Sequence, residues 1–163
     1  MIRRPEPLAK SAQSKYRKLV VRDPYRTVFD VEAISLHDNE LKCGLLVAYQ
    51  PVVKPFVMPP KTHNHKYTQV LFFLGTNPLN VREFDAEIEF SMGEEGKQEI
   101  ITINSPSAIT VPAGVYHCPL NFKRVGKPFI FMEIDLTGAY TRTYTDGTPG
   151  VSYDQEIRRK KKK

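Results

Sequence analysis

The chain has 163 residues, the length of one domain that buries about two-thirds of its unfolded surface, and no apolar run long enough to predict a transmembrane helix. Six of its 24 basic residues form the C-terminal end, and the remaining 18 equal the 18 acidic residues. The body of the chain is therefore expected to be nearly neutral, which argues against a specific nucleic-acid-binding surface.

The N-terminal segment, residues 1–17, is polar and rich in Lys, Arg, Ser and Pro. We expect a loose arm here and not a signal peptide, because no apolar segment follows the first charges. Two cysteines, Cys43 and Cys118, lie far apart in unrelated contexts. One disulfide between them is possible, but a reduced, cytoplasmic protein is the favoured interpretation.

Short apolar runs separated by turn residues follow this arm and predict β-strands. The predicted strands cover Lys18–Val21, Thr27–Leu36, Leu41–Val53, Tyr67–Leu74, Ala86–Ser91, Gln98–Ile103, Ala108–Val111, Val115–Leu120 and Pro128–Leu136. Asp38–Asn39 is predicted as a turn. Apart from one possible short turn near the N-terminus, no window carries a helical stripe. Many short strands at regular spacing predict an all-β sandwich or barrel.

The C-terminal end, residues 151–163, finishes in the basic run Arg158–Lys163. We expect a disordered, solubilising tail, and contact with RNA, DNA or anionic lipid is the alternative for such a run. The predicted organisation is thus an arm over residues 1–17, a single domain over 18–150 and a tail over 151–163.

Three of the four histidines fall in two short segments near the centre of the chain. His63 and His65 are two residues apart, so they project from the same face of a strand. His117 follows a Pro-x-Gly turn that begins at Pro112. Three neutral imidazoles that converge in one cavity favour a transition metal over Mg²⁺ or Ca²⁺, which prefer oxygen ligands.

The two segments resemble the signature motifs of the cupin superfamily, His-x-His-x(3,4)-Glu-x(6)-Gly and Pro-x-Gly-x-x-His-x-x-x-Asn. Here the first begins at His63 and reaches Gln69, and the second matches from Pro112 to Asn121 without a gap. The match covers roughly residues 60–125. It implies one cupin domain, a double-stranded β-helix or jelly-roll barrel, with additional N-terminal strands.

The resemblance also implies that His63, His65 and His117 hold one divalent transition metal ion, Fe, Mn, Ni or Zn. A cupin that has kept the shape and lost the ion is the alternative. Gln69 stands where the family has an acidic ligand, and it offers a carbonyl oxygen without a charge. It is either a fourth ligand or a donor that orients an imidazole or a bound water. With neutral ligands the ion would keep its full charge and be a stronger Lewis acid.

Two further side chains are candidate catalytic residues. Tyr67 has the strand parity of the ligands and would project into the cavity, unless it is a packed aromatic with its hydroxyl satisfied at the rim. Glu133 shares a face of its strand with Asp135 and two phenylalanines, opposite an all-apolar face. If the mixed face lines the barrel, Glu133 is an acid or base beside the metal. The all-apolar face is the favoured core face, which would leave both carboxylates in solvent.

The favoured function is a metal-dependent enzyme acting on a small oxygen-rich metabolite. A hydroxy acid, an enediol or a catechol-like substrate would chelate the ion, and the chemistry would be of the dioxygenase, lyase or isomerase type. The alternative is a non-catalytic cupin that binds or senses a small molecule. We also expect a homodimer, because cupins commonly pair through their sheets and the N-terminal apolar runs could form or exchange an edge strand.

Overall fold

The structure is a computed structural model that describes residues 16–28 and 31–150. The predictions made for residues 1–15 and for the tail at 151–163 lie outside these residues. The described residues form two antiparallel β-sheets with very little helix, so the all-β prediction is confirmed. No helix within them is long and apolar enough to cross a membrane.

The described chain contains one 3-10 turn, one short helix and a series of strands. The 3-10 turn is Arg17–Leu19 and the helix α1 is Asp38–Leu41. The strands are β1 (Tyr25–Val28), β2 (Val31–Leu36), β3 (Leu46–Val52), β4 (Phe56–Met58), β5 (His63–Asn64), β6 (Gln69–Gly75), β7 (Ala86–Met92), β8 (Glu99–Ile103), β9 (Ser107–Val111), β10 (His117–Val125), β11 (Phe129–Asp135), β12 (Arg142–Tyr144) and β13 (Pro149–Gly150).

The strands divide between two sheets that face each other. Sheet A has the order β1-β2-β3-β11-β6-β9. Sheet B has the order β13-β12-β5-β10-β7-β8, and β4 pairs with β10 beside it. Successive strands alternate between the sheets over much of the chain, as in a jelly roll, and the inward side chains of both sheets form one interior.

Two predictions near the N-terminus are wrong. The run Lys18–Val21 is not a strand: it overlaps the 3-10 turn, and its side chains are exposed because neither sheet pairs with it. Asp38 begins a helical turn, not a simple β-turn, because His37 and Glu40 form a capping box at its start. The following strand consequently begins at Leu46 and not at the predicted Leu41.

The interior at one end of the barrel is a hydrophobic core rich in phenylalanine. Phe73, Phe122 and Phe129 are fully buried, and the ring centroids of Phe122 and Phe129 lie 5.7 Å apart. Burying one such side chain contributes about 1.5–3 kcal/mol. This end of the barrel therefore supplies much of the free energy that holds the two sheets together.

The orientation of β11 corrects the prediction that its all-apolar face is the core face. The residues that face the interior are Phe129, Phe131, Glu133 and Asp135, and the half-buried outer set is Ile130, Met132 and Ile134. Phe131 is paired in register with Phe73 of β6 and Gln50 of β3, which are both buried. Since side chains alternate along a strand, this register turns both carboxylates inward.

Candidate metal centre

The three predicted histidines meet in the interior at the end of the barrel opposite the phenylalanine core. His63 lies in β5, and its register partner on β10 is His117. All three histidines are buried, and their ligand atoms lie within 4.8 Å of one another. The first and second motifs therefore form one cluster, as the sequence predicts.

A glycine turn ties the second motif to the first. Gly114 has a φ of +83°, a left-handed conformation that a side chain would strain. Its N–H donates to the carbonyl of His65 over 2.8 Å. The turn thereby holds the chain at the point where it enters β10 and places His117 beside the other two imidazoles.

Backbone carbonyls fix the tautomer of each ring. The Nδ1–H groups of His63, His65 and His117 donate to the carbonyls of Lys61, Thr141 and Val115 over 2.9, 2.6 and 3.0 Å. Because a carbonyl can only accept, the proton of each neutral ring lies on Nδ1. Each Nε2 lone pair is left as a ligand, which is the usual arrangement of histidines that hold metals.

The charge state of the cluster also suits a metal. Burial, followed by the charge of His117, lowers the pKa of His63 to about 4. Burial lowers the pKa of His65 to about 3 and also lowers the pKa of His117. At neutral pH all three rings are therefore uncharged, which is the form that binds a metal ion.

These donors fit a divalent transition metal. Three neutral imidazole nitrogens suit a transition metal such as Zn, Fe or Ni better than Mg or Ca. His63, His65 and His117 would hold the ion and leave further coordination positions for a substrate or water.

Gln69 is held by two carboxyl groups. Its Nε2 donates to Oε1 of Glu133 over 2.6 Å and to Oδ1 of Asp135 over 2.7 Å. Gln69 and Asp135 are register partners on β6 and β11, so the contact follows from the strand pairing. With its nitrogen bonded on this side, the carbonyl oxygen is the atom that Gln69 can offer to an ion or to water.

The two carboxyl groups share a buried environment. Burial, reinforced by the charge of Asp135, raises the pKa of Glu133 well above its ordinary value. Burial also raises the pKa of Asp135. The favoured prediction for β11 leaves both carboxylates in solvent, whereas the structure places both in the cavity.

Aromatic side chains line the flank of the histidine cluster. The ring of Tyr67 stacks on His65 with centroids 4.9 Å apart, and its hydroxyl donates to Asp135 over 3.4 Å. Tyr67 is thus a packed aromatic whose hydroxyl is bonded to Asp135, and it is not among the residues that line the cavity. Tyr140 contacts His65 from another side at 5.3 Å. The sequence does not predict Tyr140 as a site residue, because it lies after the last predicted strand in a segment without a motif.

The histidines open onto a cavity of about 510 Å³, large enough for a small metabolite. Sheet A contributes Gln69, Glu133 and Asp135 to its wall. Sheet B contributes His63, His117 and Arg142, which is 8% exposed, and His65 follows directly after β5. Nothing distinguishes Arg142 in the sequence from the other basic residues, so no local pattern predicts its place in the cavity.

Several solved structures of known proteins have an architecture similar to that of this chain. No protein-family model matches the chain, and no curated protein matches it in sequence. Among solved structures, vicilin from hazelnut (Corylus avellana) is 14% identical with a TM-score of 0.50, over 74% of this chain and 34% of that one. A deletion mutant of Bacillus subtilis oxalate decarboxylase is 13% identical with a TM-score of 0.50, over 71% and 28%.

A formate complex of oxalate decarboxylase from Lactobacillus farciminis is 8% identical with a TM-score of 0.51, over 83% of this chain and 35% of that one. The chain therefore spans about a third of the length of these proteins. At such identities the similarity concerns architecture alone. Together with the two facing sheets and the two histidine motifs, it shows that the chain has the cupin fold.

Proposed function

We propose that this protein is a metal-dependent enzyme that acts on a small oxygen-rich metabolite. The observation that carries the proposal is the set of three buried, neutral histidines whose Nδ1 atoms are fixed by backbone carbonyls. Burying three polar rings in one fixed arrangement costs desolvation energy, which an apolar core does not require. One Fe, Mn, Ni or Zn ion is the ligand that fits this arrangement.

The residues of the cavity have separate roles in this proposal. His63, His65 and His117 hold the ion, and Gln69 offers its carbonyl oxygen as a fourth ligand. When bound, the ion polarises a carbonyl, enol or hydroxyl oxygen of the substrate.

Glu133 is the acid or base of the proposed reaction. Burial raises its pKa well above the ordinary value, which favours the protonated form, and a carboxyl group of this kind can donate a proton to the substrate and take one back. Tyr67 stays a neutral phenol because burial raises its pKa, and it acts as a hydrogen-bond donor. These groups support oxidoreductase chemistry of the dioxygenase type, or a lyase or isomerase step.

A non-catalytic binding or sensing protein is the second candidate. The observation that favours it is that Gln69 bonds both carboxyl groups of the cavity. Acid and base groups that are already engaged within the protein suit a binding site, in which no proton has to move.

We further propose a cytoplasmic homodimer. The exposed Cys43 and the buried Cys118 are both free thiols, which supports a reducing compartment. β1 lies at the edge of sheet A, where a second copy could add a strand. Sedimentation at micromolar concentration tests the dimer, and material of 18.7 kDa alone would contradict it.

The central experiment measures bound metal in protein expressed without added metal. Elemental analysis should find one transition metal ion per chain in the wild type and none in the double variant His63→Ala/His117→Ala. His37→Ala is the matched control, since the fourth histidine caps α1 and is not part of the His63, His65 and His117 group, and this variant should keep the ion. Stoichiometric metal in the double variant would contradict the site.

Turnover then separates the two candidate functions. The metal-loaded protein is incubated with hydroxy acids, enediols and catechols, and both product and oxygen uptake are followed. Oxygen uptake with product identifies a dioxygenase, and product without oxygen uptake identifies a lyase or isomerase. Binding of these compounds without any product favours the sensing protein.

A further inference from the structure

Arg142 stands on the same wall of the cavity as the histidine cluster. It begins β12, which pairs with β5 so that Tyr144 lies opposite His63. Because side chains alternate along a strand, Arg142 and Tyr144 project from the same face. The preceding carbonyl, that of Thr141, accepts the Nδ1–H of His65 over 2.6 Å. The guanidinium therefore belongs to the residue that directly follows the carbonyl orienting His65.

Two cations flank the ring of Tyr144, and they differ in burial. The guanidinium carbon of Arg142 lies 5.3 Å from the ring centroid, and Nζ of Lys61 lies 5.7 Å from it. Arg142 is buried, whereas Lys61 is exposed. A charge acts more strongly in a low-dielectric cavity than in water, and a guanidinium can bind a carboxylate through two parallel hydrogen bonds. Arg142 is thus the stronger site for an anion.

The wall of the cavity that faces Arg142 carries carboxyl and amide groups. Gln69, Glu133 and Asp135 come from sheet A, while Arg142 comes from sheet B. A ligand that spans the cavity therefore meets a cation on one side and hydrogen-bonding carboxyl groups on the other. A carboxylate suits the first side and a hydroxyl suits the second.

We propose that the cavity takes a small hydroxy acid, with its carboxylate bound by Arg142 and its hydroxyl directed to the wall formed by Gln69, Glu133 and Asp135. This inference rests on the proposed function and selects one of its three substrate classes. A catechol or a neutral enediol carries no carboxylate for Arg142 to bind. Recognition by a fixed, buried arginine thus makes the negative charge of the substrate a condition for binding.

Gly150 gives the arginine its position. It is the register partner of Arg142 on β13, and a methyl group at residue 150 would overlap the aliphatic stem of the arginine. Replacing Gly150 with alanine therefore displaces the guanidinium without removing its charge.

The test uses metal-free protein, so that binding by Arg142 is measured apart from chelation. Lactate and its neutral analogue lactamide are titrated by calorimetry at about pH 8, where the site histidines are uncharged. Wild-type protein should bind lactate at least about tenfold more tightly than lactamide, as a charge-assisted pair predicts. Arg142→Gln should remove this preference, and Lys61→Gln, the exposed matched control, should change it by less than about twofold.

Two further variants keep the test independent of folding. Arg142→Lys keeps the charge but loses the forked geometry, and it should give an intermediate preference. Gly150→Ala should lower the affinity for lactate although every charge remains. An unchanged preference in Arg142→Gln, or an equal loss in Lys61→Gln, would overturn the inference.

Metal content, measured on the same samples, separates this inference from the proposed function. Lactate binding that depends on Arg142 in a protein that never retains metal supports the anion site and contradicts the metal enzyme. A protein that holds one ion per chain but does not distinguish lactate from lactamide contradicts the anion site alone.

Discussion

The interior of the barrel has two ends that are built by the same strands and have opposite chemistry. β6 presents Gln69 at one end and Phe73 at the other, and β10 presents His117 and then Phe122. We call these the polar end and the aromatic end. Along β6 the inward face is continuous, so there the change from one chemistry to the other comes from sequence alone. On β10 a register irregularity between His117 and Leu120 separates the two.

The difference shows how stability and function are divided within one core. The aromatic end gains free energy by removing rings from water. The polar end buries imidazoles and carboxyl groups, whose desolvation the hydrogen bonds only partly offset. The aromatic end therefore holds the barrel together while the polar end is kept in a fixed, costly arrangement.

The largest expected effect on stability comes from removing an aromatic ring at the aromatic end. Phe73→Ala should lower the free energy of unfolding by about 3–5 kcal/mol, because it leaves a cavity in the packed core. Urea unfolding measures the change. The matched control is Phe72→Ala, whose ring is the next one along β6 but lies half-buried on the outer face. Equal losses in both variants would show that the aromatic end does not dominate stability.

A smaller effect is expected at the polar end from Gln69→Glu. This change removes the two N–H groups that bond Glu133 and Asp135 and places a third carboxyl group beside them. The metal-free protein should lose about 1–3 kcal/mol, the cost of buried groups left without donors. Gln69→Met, which removes the donors without adding an acid, should lose less. A metal-free Gln69→Glu protein as stable as the wild type would contradict the role assigned to this amide.

The polar end should also make metal-free stability depend on pH. An unfolded histidine titrates near pH 6.5, whereas His63 and His65 in the fold have pKa values of about 4 and 3. Between these values each unfolded histidine binds more protons, so the contribution of the histidines to stability is full above about pH 6.5 and falls as the pH drops. The raised pKa values of Glu133 and Asp135 act in the opposite direction. Each histidine contributes a slope of at most about 1.4 kcal/mol per pH unit.

Urea unfolding at a series of pH values, in the presence of a chelator, measures this slope. His65→Phe should make the slope shallower. A slope that does not respond to the removal of His65 would show that this ring is not held neutral by burial.

The sequence predicts the three histidines because their spacing is local: two share a strand face and the third follows a turn. It also predicts the all-β class, since short apolar runs recur between turn residues. It does not predict which face of β11 points inward, because alternation groups residues into faces without assigning a side. The preference for the all-apolar face failed because this end of the interior is a polar cavity, in which Gln69 supplies donors to both carboxyl groups.

Other site residues join the cluster through contacts that are distant in sequence. The carbonyl of Thr141 reaches His65, and Arg142 joins the wall through the pairing of β12 with β5. These contacts depend on strand order in the folded barrel, which no local pattern encodes. The exposed run at Lys18–Val21 shows the converse, since a strand-like composition forms no strand where no partner is available.

The most direct measurement is an X-ray absorption spectrum of the metal-loaded protein. The structure predicts nitrogen and oxygen ligands at about 2.0–2.2 Å, with the outer-shell scattering of three imidazoles. In His65→Ala the imidazole contribution should fall by one ring. Sulfur scattering at about 2.3 Å, or a spectrum without imidazole, would contradict a centre built from His63, His65 and His117.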